Sequence, residues 1–205
     1  MICPLCSSSE VTLFDQDGKR SFHRCSVCEL VFVPRSEILS EQDEKKRYEA
    51  HENSSQDAGY VKYLNSIYQN IHPHIGPEFH GLDFGCGKTT VLADFFGNCD
   101  SYDVFFRPDE EIWTKTYDYI ILSEVIEHLT QPIETMEKLR SLLKPGGQFF
   151  IKTQFIPENF STWFYKRDLT HVQFFNPVSM NWLGNKLGMN DFRTLVKDLY
   201  HFTMS

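Results

Sequence analysis

Three observations predict an α/β chain built on a doubly wound, mostly parallel sheet with an antiparallel C-terminal hairpin and a small N-terminal ribbon. From residue 77 onward, strand-like and helix-like stretches alternate, the pattern of a layered α/β domain. A short buried strand, Gly81-Leu82-Asp83-Phe84, runs directly into a glycine pair, Gly85 and Gly87. Two C-x-x-C pairs, Cys3/Cys6 and Cys25/Cys28, sit at the start with 18 residues between them. The expected organisation is a ribbon over residues 1–36, a charged linker and amphipathic helix over 37–76, and the α/β domain over 77–205.

Composition narrows the function classes. Of 205 residues, 41% are hydrophobic and 23% charged, enough apolar surface for a packed core. Twenty basic against 28 acidic side chains give a net charge of −8, which disfavours a whole-chain grip on a phosphate backbone. No apolar run exceeds four residues, so no membrane-spanning segment is predicted. The first twenty residues lack a basic start followed by an apolar stretch, so a cytoplasmic location is expected.

The duplicated cysteine knuckles read as a tetrahedral zinc site of Cys3, Cys6, Cys25 and Cys28. Two thiolates from each tight turn would fill half of a tetrahedron. Strand-like Val11–Phe14 and Ser21–Arg24 flank the turn residues Asp15–Gly18, a hairpin that would carry the second knuckle to the first. With no fifth ligand implied, the metal would be structural and would hold together a module too small to fold on apolar burial alone. Cys86 and Cys99 fall outside this pattern and read as small core residues.

The connector is highly charged over Ser40–Arg47, a solvated helix or linker. From Ala58 to Ile71, Tyr60, Tyr63/Leu64, Ile67/Tyr68 and Ile71 recur at helical spacing, and His72-Pro73 ends the helix. Beyond the glycine pair, residues 89–96 read as helix, 101–106 as a second strand carrying Asp103, and 117–122 as a third. Pro132 opens a helix, Lys144–Gly147 turns into a strand over 148–152, and Asn176-Pro177 opens a helix that Gly188 closes. Residues 192–196 and 199–204 form the closing hairpin.

The glycine loop identifies the ligand class by elimination and then by likeness. Thr90 spoils the G-x-G-x-x-G dinucleotide pattern, and Leu82 stands where a phosphate loop needs glycine. What remains is D-x-G-x-G followed by an acid, Asp103, sixteen residues past Gly87 and placed to accept hydrogen bonds from ribose hydroxyls. Together with Leu82–Gly87 and Tyr102-Asp103, the stretches Tyr117–Leu129 and Leu142–Ile151 resemble, in order, the class I S-adenosylmethionine-dependent methyltransferases, which have a Rossmann-like fold. The resemblance implies a roughly seven-stranded sheet and S-adenosylmethionine as cofactor. It places Gly85, Cys86 and Gly87 at the methionine part through their main chain, Asp83 among the cofactor-binding residues, Asp103 at the ribose and Val104 against adenine. Ser123 and Glu124 would line the far side. Two departures stand out: only fourteen residues separate Asp103 from Asp118, so the family's third strand is expected to be reduced or missing, and Lys88-Thr89-Thr90 replaces the usual small residues.

Methyl transfer from a sulfonium needs an aligned nucleophile and, for hydroxyl or amine acceptors, a proton acceptor. Histidine fits that task. His171 is expected to act as base or substrate ligand, oriented by Asp168, with Tyr165 and Trp163 shaping the pocket; His128 and His51 are further candidates. If helical, Glu124, Glu127 and His128 share a face, and with His171 they are similar to the divalent-metal set of small-RNA 2′-O-methyltransferases and, in part, of quinone-biosynthesis O-methyltransferases. The expected acceptor is a small molecule, a sugar or polyhydroxylated metabolite, because zinc-binding segments also precede some sugar C-methyltransferases. An RNA acceptor is the alternative that some zinc-bearing ribosomal RNA methyltransferases suggest, but the stretch 3–28 carries three basic and three acidic side chains and supplies no net positive charge. A non-catalytic binding protein retaining the fold is the third reading, motivated by the short Asp103–Asp118 segment.

Overall fold

The computed structural model describes residues 1–50 and 54–204. The ribbon is an antiparallel hairpin, β1 (Val11–Gln16) and β2 (Ser21–Cys25), extended by the short β3 (Val31–Phe32). The connector forms two helices, α1 (Glu41–Ala50) and α2 (Ala58–Ile71). Asp57 caps α2 by accepting from the backbone N–H groups of Gly59 and Tyr60 at 2.7 and 3.3 Å, which satisfies two of the helix's orphan donors. The α/β region then runs β4 (Gly81–Phe84), α3 (Val91–Phe96), β5 (Cys99–Tyr102), β6 (Tyr117–Ser123), α4 (Pro132–Ser141), β7 (Leu143–Lys152), β8 (Gln173–Phe174), α5 (Pro177–Lys186), β9 (Met189–Val196) and β10 (Leu199–Met204).

The main sheet has the order β5-β4-β6-β7-β10-β9. Its first four strands are parallel, and β10 runs antiparallel to both its neighbours, β7 and β9, as the alternation and the closing hairpin predict. Side chains alternate across it. Tyr119 and Ile121 of β6 pack on one face with Leu64, Ile67, Ile71 and Leu92 from α2 and α3. Ile120 and Leu122 pack on the other with Met136, Leu139, Met180 and Leu183 from α4 and α5. Each such side chain contributes roughly 1.5–3 kcal/mol by leaving water. One-residue alternation thus feeds two cores from one strand.

The sheet has six strands among the described residues: as the short Asp103–Asp118 segment predicts, the family's third strand is missing, and between β5 and β6 the chain makes an isolated Asp103–Arg107 bridge and a 3₁₀ turn at Glu110–Thr114. Two expectations are corrected. The second strand ends at Tyr102 rather than Phe106, because the Asp103 carboxylate accepts from the N–H groups of Phe105 and Phe106 at 2.9 and 3.0 Å and turns the chain back. β7 begins at Leu143, before the Lys144–Gly147 turn; Leu143 pairs with Tyr117 and Gln148 with Tyr119, so the intervening residues bulge from the ladder, with Gly146 at φ +75°.

β8 does not join the main sheet. It pairs with β3, so that Val31 lies opposite Phe174 and Phe32 opposite Gln173 in a second sheet of order β1-β2-β3-β8. Phe22 and Val31 of the ribbon share an apolar cluster with Phe160, Trp163, Tyr165, Val172 and Phe174. The ribbon is therefore packed against the segment between β7 and α5. Among the described residues, no helix is long and apolar enough to cross a membrane.

Candidate active site

A crevice of about 990 Å³ opens beyond the carboxyl ends of the parallel strands, where doubly wound sheets bind ligands. The turn after β4 forms its floor. Gly85 has φ +81°, and a Cβ there would meet Val125 Cγ2 at 2.4 Å, so only glycine fits. Gly87 has φ +66°, and nothing lies within 4 Å of where its Cβ would be. That bare stretch of main chain faces the crevice and suits close approach by a ligand. Cys86 beside it is buried, and burial raises its thiol pKa.

Asp103 reaches back across this floor. One carboxylate oxygen accepts from the Gly87 N–H at 3.0 Å and the other holds the Phe105–Phe106 turn. It lines the crevice together with Asp83, Val104, Ser123 and Glu124. Asp83 is buried at the end of β4, and burial, aided by the Asp103 charge, pushes its carboxyl up to about 7. A bound cationic group would offset that cost. Val104, 59% exposed, stands at the rim. The sequence reading missed Phe105, Phe106 and Trp113, which line the same end where the absent strand would have stood. Trp113 is covered by Lys138 Nζ at 3.4 Å from its ring centroid. The aromatic pair following Asp103 was the available signal.

At the opposite end, Tyr165 presents its hydroxyl to Glu124 Oε2 at 2.8 Å and, in a still shorter contact, to Glu127 Oε1. A phenol has one proton and cannot donate to both carboxylates at once, so with Glu127 protonated it donates to Glu124 and accepts from Glu127, and the group shares two protons. Glu127 is fully buried, and burial, then the Glu124 charge, pushes it up to about 8. Its other oxygen, Oε2, is buried without a hydrogen-bond partner. Tyr63 from α2 adds a hydroxyl donor to Glu124 Oε1 at 3.2 Å.

Two imidazoles stand beside this group, their ring centroids 4.7 Å apart. His128 Nδ1 lies 3.0 Å from the Thr170 carbonyl and His171 Nδ1 lies 2.7 Å from the Tyr165 carbonyl. A carbonyl only accepts, so each Nδ1 carries the proton and the neutral ring keeps its lone pair on Nε2. Burial lowers the His171 pKa, opposed in part by Asp168. Asp168 itself accepts from Thr170 N at 3.0 Å, Thr170 Oγ1 at 2.9 Å and Arg47 Nη2 at 3.3 Å. Against burial, these contacts hold its carboxyl at about 2. The hydrogen bond that sets the His171 ring thus comes from the Tyr165 main chain, and Asp168 acts on the ring through its charge.

The helical face expected for Glu124, Glu127 and His128 does not form. Glu124 has φ +55° just past β6, and only Ile126–His128 make a 3₁₀ turn. Glu124 is drawn toward Tyr63, Tyr165 and Lys152, while one ligand atom each of Glu127, His128 and His171 lies within 4.8 Å of the others. Trp163 does not line the crevice; it stacks on Tyr165 from behind at 4.9 Å. His51 lies outside the described residues. From the connector, Tyr48, Tyr60 and Tyr63 line the crevice, so two aromatics of the periodic α2 stripe face the site.

In the ribbon, the sulfurs of Cys3, Cys6, Cys25 and Cys28 gather within 4.8 Å of one another. Cys3 lies 3.5 Å from Cys28 and Cys6 lies 3.4 Å from Cys25, as free thiols. The Cys28 hydrogen bond draws the Cys3 thiol down to about 5. Four convergent sulfurs fit a tetrahedral divalent metal.

The comparisons with known proteins agree with this geometry. A family model described as a methyltransferase domain matches residues 62–192. Over 79 residues the chain is 39% identical to a tRNA U34 carboxymethyltransferase of Desulfotalea psychrophila, a match covering 38% of this chain and 22% of that protein. Its fold is similar to 1,6-didemethyltoxoflavin-N1-methyltransferase of Burkholderia thailandensis, with TM-score 0.54 and 13% identity over 94% of this chain and 96% of the other. It is also similar to an S-adenosylmethionine-dependent methyltransferase of Archaeoglobus fulgidus, with TM-score 0.51 and 20% identity over 65% and 71% of the two chains. With a matched region that includes the glycine turn, Asp103 and the Glu124–His171 cluster, the chain belongs to the methyltransferase-domain family.

Proposed function

We propose that the protein transfers the methyl group of S-adenosylmethionine to a small hydroxyl-bearing acceptor, a sugar or other polyhydroxylated metabolite, held in the crevice against Tyr165 and the two imidazoles. The observation that carries the reading is the cluster of two imidazoles, Tyr165 and Glu124 at one end of a crevice whose other end has the bare glycine turn and Asp103. The acceptor oxygen would attack the methyl carbon in line as the carbon–sulfur bond breaks, S-adenosylhomocysteine would leave, and the hydroxyl proton would pass to His171 Nε2. Gly85, Cys86 and Gly87 would hold the methionine part through their main chain, and Asp103 the ribose. Tyr165, Glu124 and Tyr63 would orient the acceptor.

The unpartnered Glu127 oxygen beside two rings anchored through Nδ1 supports a second reading, in which His171 is a ligand and not the base: Glu127, His128 and His171 would hold a divalent cation through a carboxylate oxygen and the two Nε2 atoms. Such a cation would supply Lewis acidity toward the acceptor hydroxyl. The four cysteines would hold a structural zinc.

The test incubates purified protein and methyl-labelled S-adenosylmethionine with three acceptor pools: sugars and polyols, catechols and amines, and total tRNA. Label in the first pool, lost in His171→Ala, supports the reading. Label in tRNA alone overturns it, and an absence of S-adenosylhomocysteine binding by calorimetry would favour a non-catalytic role. Elemental analysis reports on the metals: two ions per chain, falling to one in Glu127→Ala, are expected, and one ion in both excludes the second site.

A further inference from the structure

The hairpin turn of the ribbon makes a contact that its metal chemistry does not require. Arg20 is 5% exposed, and its guanidinium enters the segment between β7 and α5. Nη1 donates to the carbonyls of Leu169 and His171 at 3.3 and 2.9 Å. Nη2 donates to Asp168 at 3.0 Å and, in a shorter contact, to Lys166. All four terminal N–H groups are thus directed at four carbonyls of one six-residue stretch. That stretch carries Asp168 and His171, and its first carbonyl belongs to the residue after Tyr165.

We infer that Arg20 is a positioning residue for the acceptor side of the active site, and that the ribbon serves as the rigid support of that wall. The inference rests on the proposed roles of Tyr165 and His171. The segment Phe164–His171 holds only 3₁₀ and turn structure, so its carbonyls have no ladder to satisfy them. Arg20 supplies the missing donors from outside. Only a planar group with paired N–H donors on two nitrogens reaches four such oxygens; an ammonium has three donors at one point.

The support itself is fixed. Asp17 Oδ1 accepts from Lys19 N and Arg20 N, both at 2.8 Å, which sets the turn from which Arg20 projects. A part-buried ion pair joins Asp15 of the same hairpin to the buried Lys166. Ser161 Oγ donates to Asp15 at 3.2 Å, and Val33 N donates to the Val172 carbonyl at 2.9 Å. Phe22 lies beneath both cations, 5.2 Å from Arg20 and 4.8 Å from Lys166. These contacts bracket the catalytic stretch on both sides, and Arg20 holds its middle.

Hydrogen–deuterium exchange on the full chain tests the assignment with Arg20→Gln and Arg20→Lys. Exchange over residues 161–172 should rise about tenfold or more in Arg20→Gln, with 77–150 unchanged. Arg20→Lys, which keeps the charge but not the fork, should fail to restore protection. Calorimetry with S-adenosylhomocysteine should give wild-type affinity in both variants. With whichever acceptor the labelled-methyl panel identifies, kcat should fall at least about tenfold while KM for S-adenosylmethionine stays put. Unchanged exchange over 161–172, an equal rise across 77–150, or full protection in Arg20→Lys would overturn the assignment. Failure of the methyltransferase reading shows separately, as loss of cofactor binding in the wild type, and leaves the exchange result standing.

Discussion

Gly85 and Gly87 sit two residues apart, yet they carry different constraints. At Gly85 an alanine methyl would strike Val125 at 2.4 Å in a backbone conformation that already disfavours a side chain. Gly85→Ala should therefore unfold readily, losing about 2 kcal/mol or more. At Gly87 the space is open, so Gly87→Ala should cost only the left-handed strain of roughly 1–2 kcal/mol. Its methyl would project into the cofactor space, and S-adenosylhomocysteine affinity by calorimetry should drop at least about tenfold. Equal affinity in the two proteins would mean that the cofactor does not approach this turn.

Asp83 makes a pH prediction at the same scale. Its folded pKa is raised by burial from 3.8 to about 7, so its contribution to stability is fully present below pH 4. That contribution is lost as pH rises through 7, on the order of 4 kcal/mol at most. The Tm of Asp83→Asn should gain on the wild type between pH 4 and pH 8. A Tm difference constant over that range would show that Asp83 ionises without penalty.

Among the elements, α1 is the least anchored. It buries none of its residues, and its contacts with the site include the Arg47–Asp168 pair at 3.3 Å, Lys88 Nζ donating to the Glu49 carbonyl at 2.7 Å, and Tyr48 set between Phe105 and His128 at 5.7 and 5.5 Å. Helices with so little burial open locally at low cost. Exchange over residues 41–50 should slow when S-adenosylhomocysteine fills the crevice, and no change would separate α1 from the cofactor site. The sequence registered α1 as charge alone, because its one inward aromatic, Tyr48, makes no periodic signal. The strong patterns behaved otherwise. The apolar run of β6, the Pro132 and Asn176-Pro177 helix starts and the closing hairpin were all legible, since each is fixed by local chemistry. The end of β5 was not, because one side chain, Asp103, turns the chain against a run that reads as strand through Phe106. The proton-sharing group of Glu124, Glu127 and Tyr165 was only half legible: it joins residues about 40 positions apart through a backbone twist at Glu124 that no spacing rule encodes.

At the scale of the whole molecule, the cysteine cluster, the ribbon and the segment proposed to carry the acceptor-side chemistry form one mechanical chain, because β3 pairs with β8 and the hairpin turn grips residues 166–171. Chelation at neutral pH should therefore raise exchange over residues 1–36 and 161–176 together, before the main sheet loosens. Exchange confined to the ribbon would show that the second sheet survives without metal. On the proposed roles, the order would also let a 3₁₀-rich segment carry precise chemistry, with rigidity borrowed from a module whose metal cross-link would not depend on apolar burial.

A crystal soaked with S-adenosylhomocysteine tests the central claim most directly. The nucleoside should lie in the crevice, with its methionine portion along Gly85–Gly87, its ribose hydroxyls on Asp103 and its sulfur facing Tyr165 and His171. Electron density for the nucleoside elsewhere on the surface, or a crevice that stays empty at saturating ligand, would contradict it.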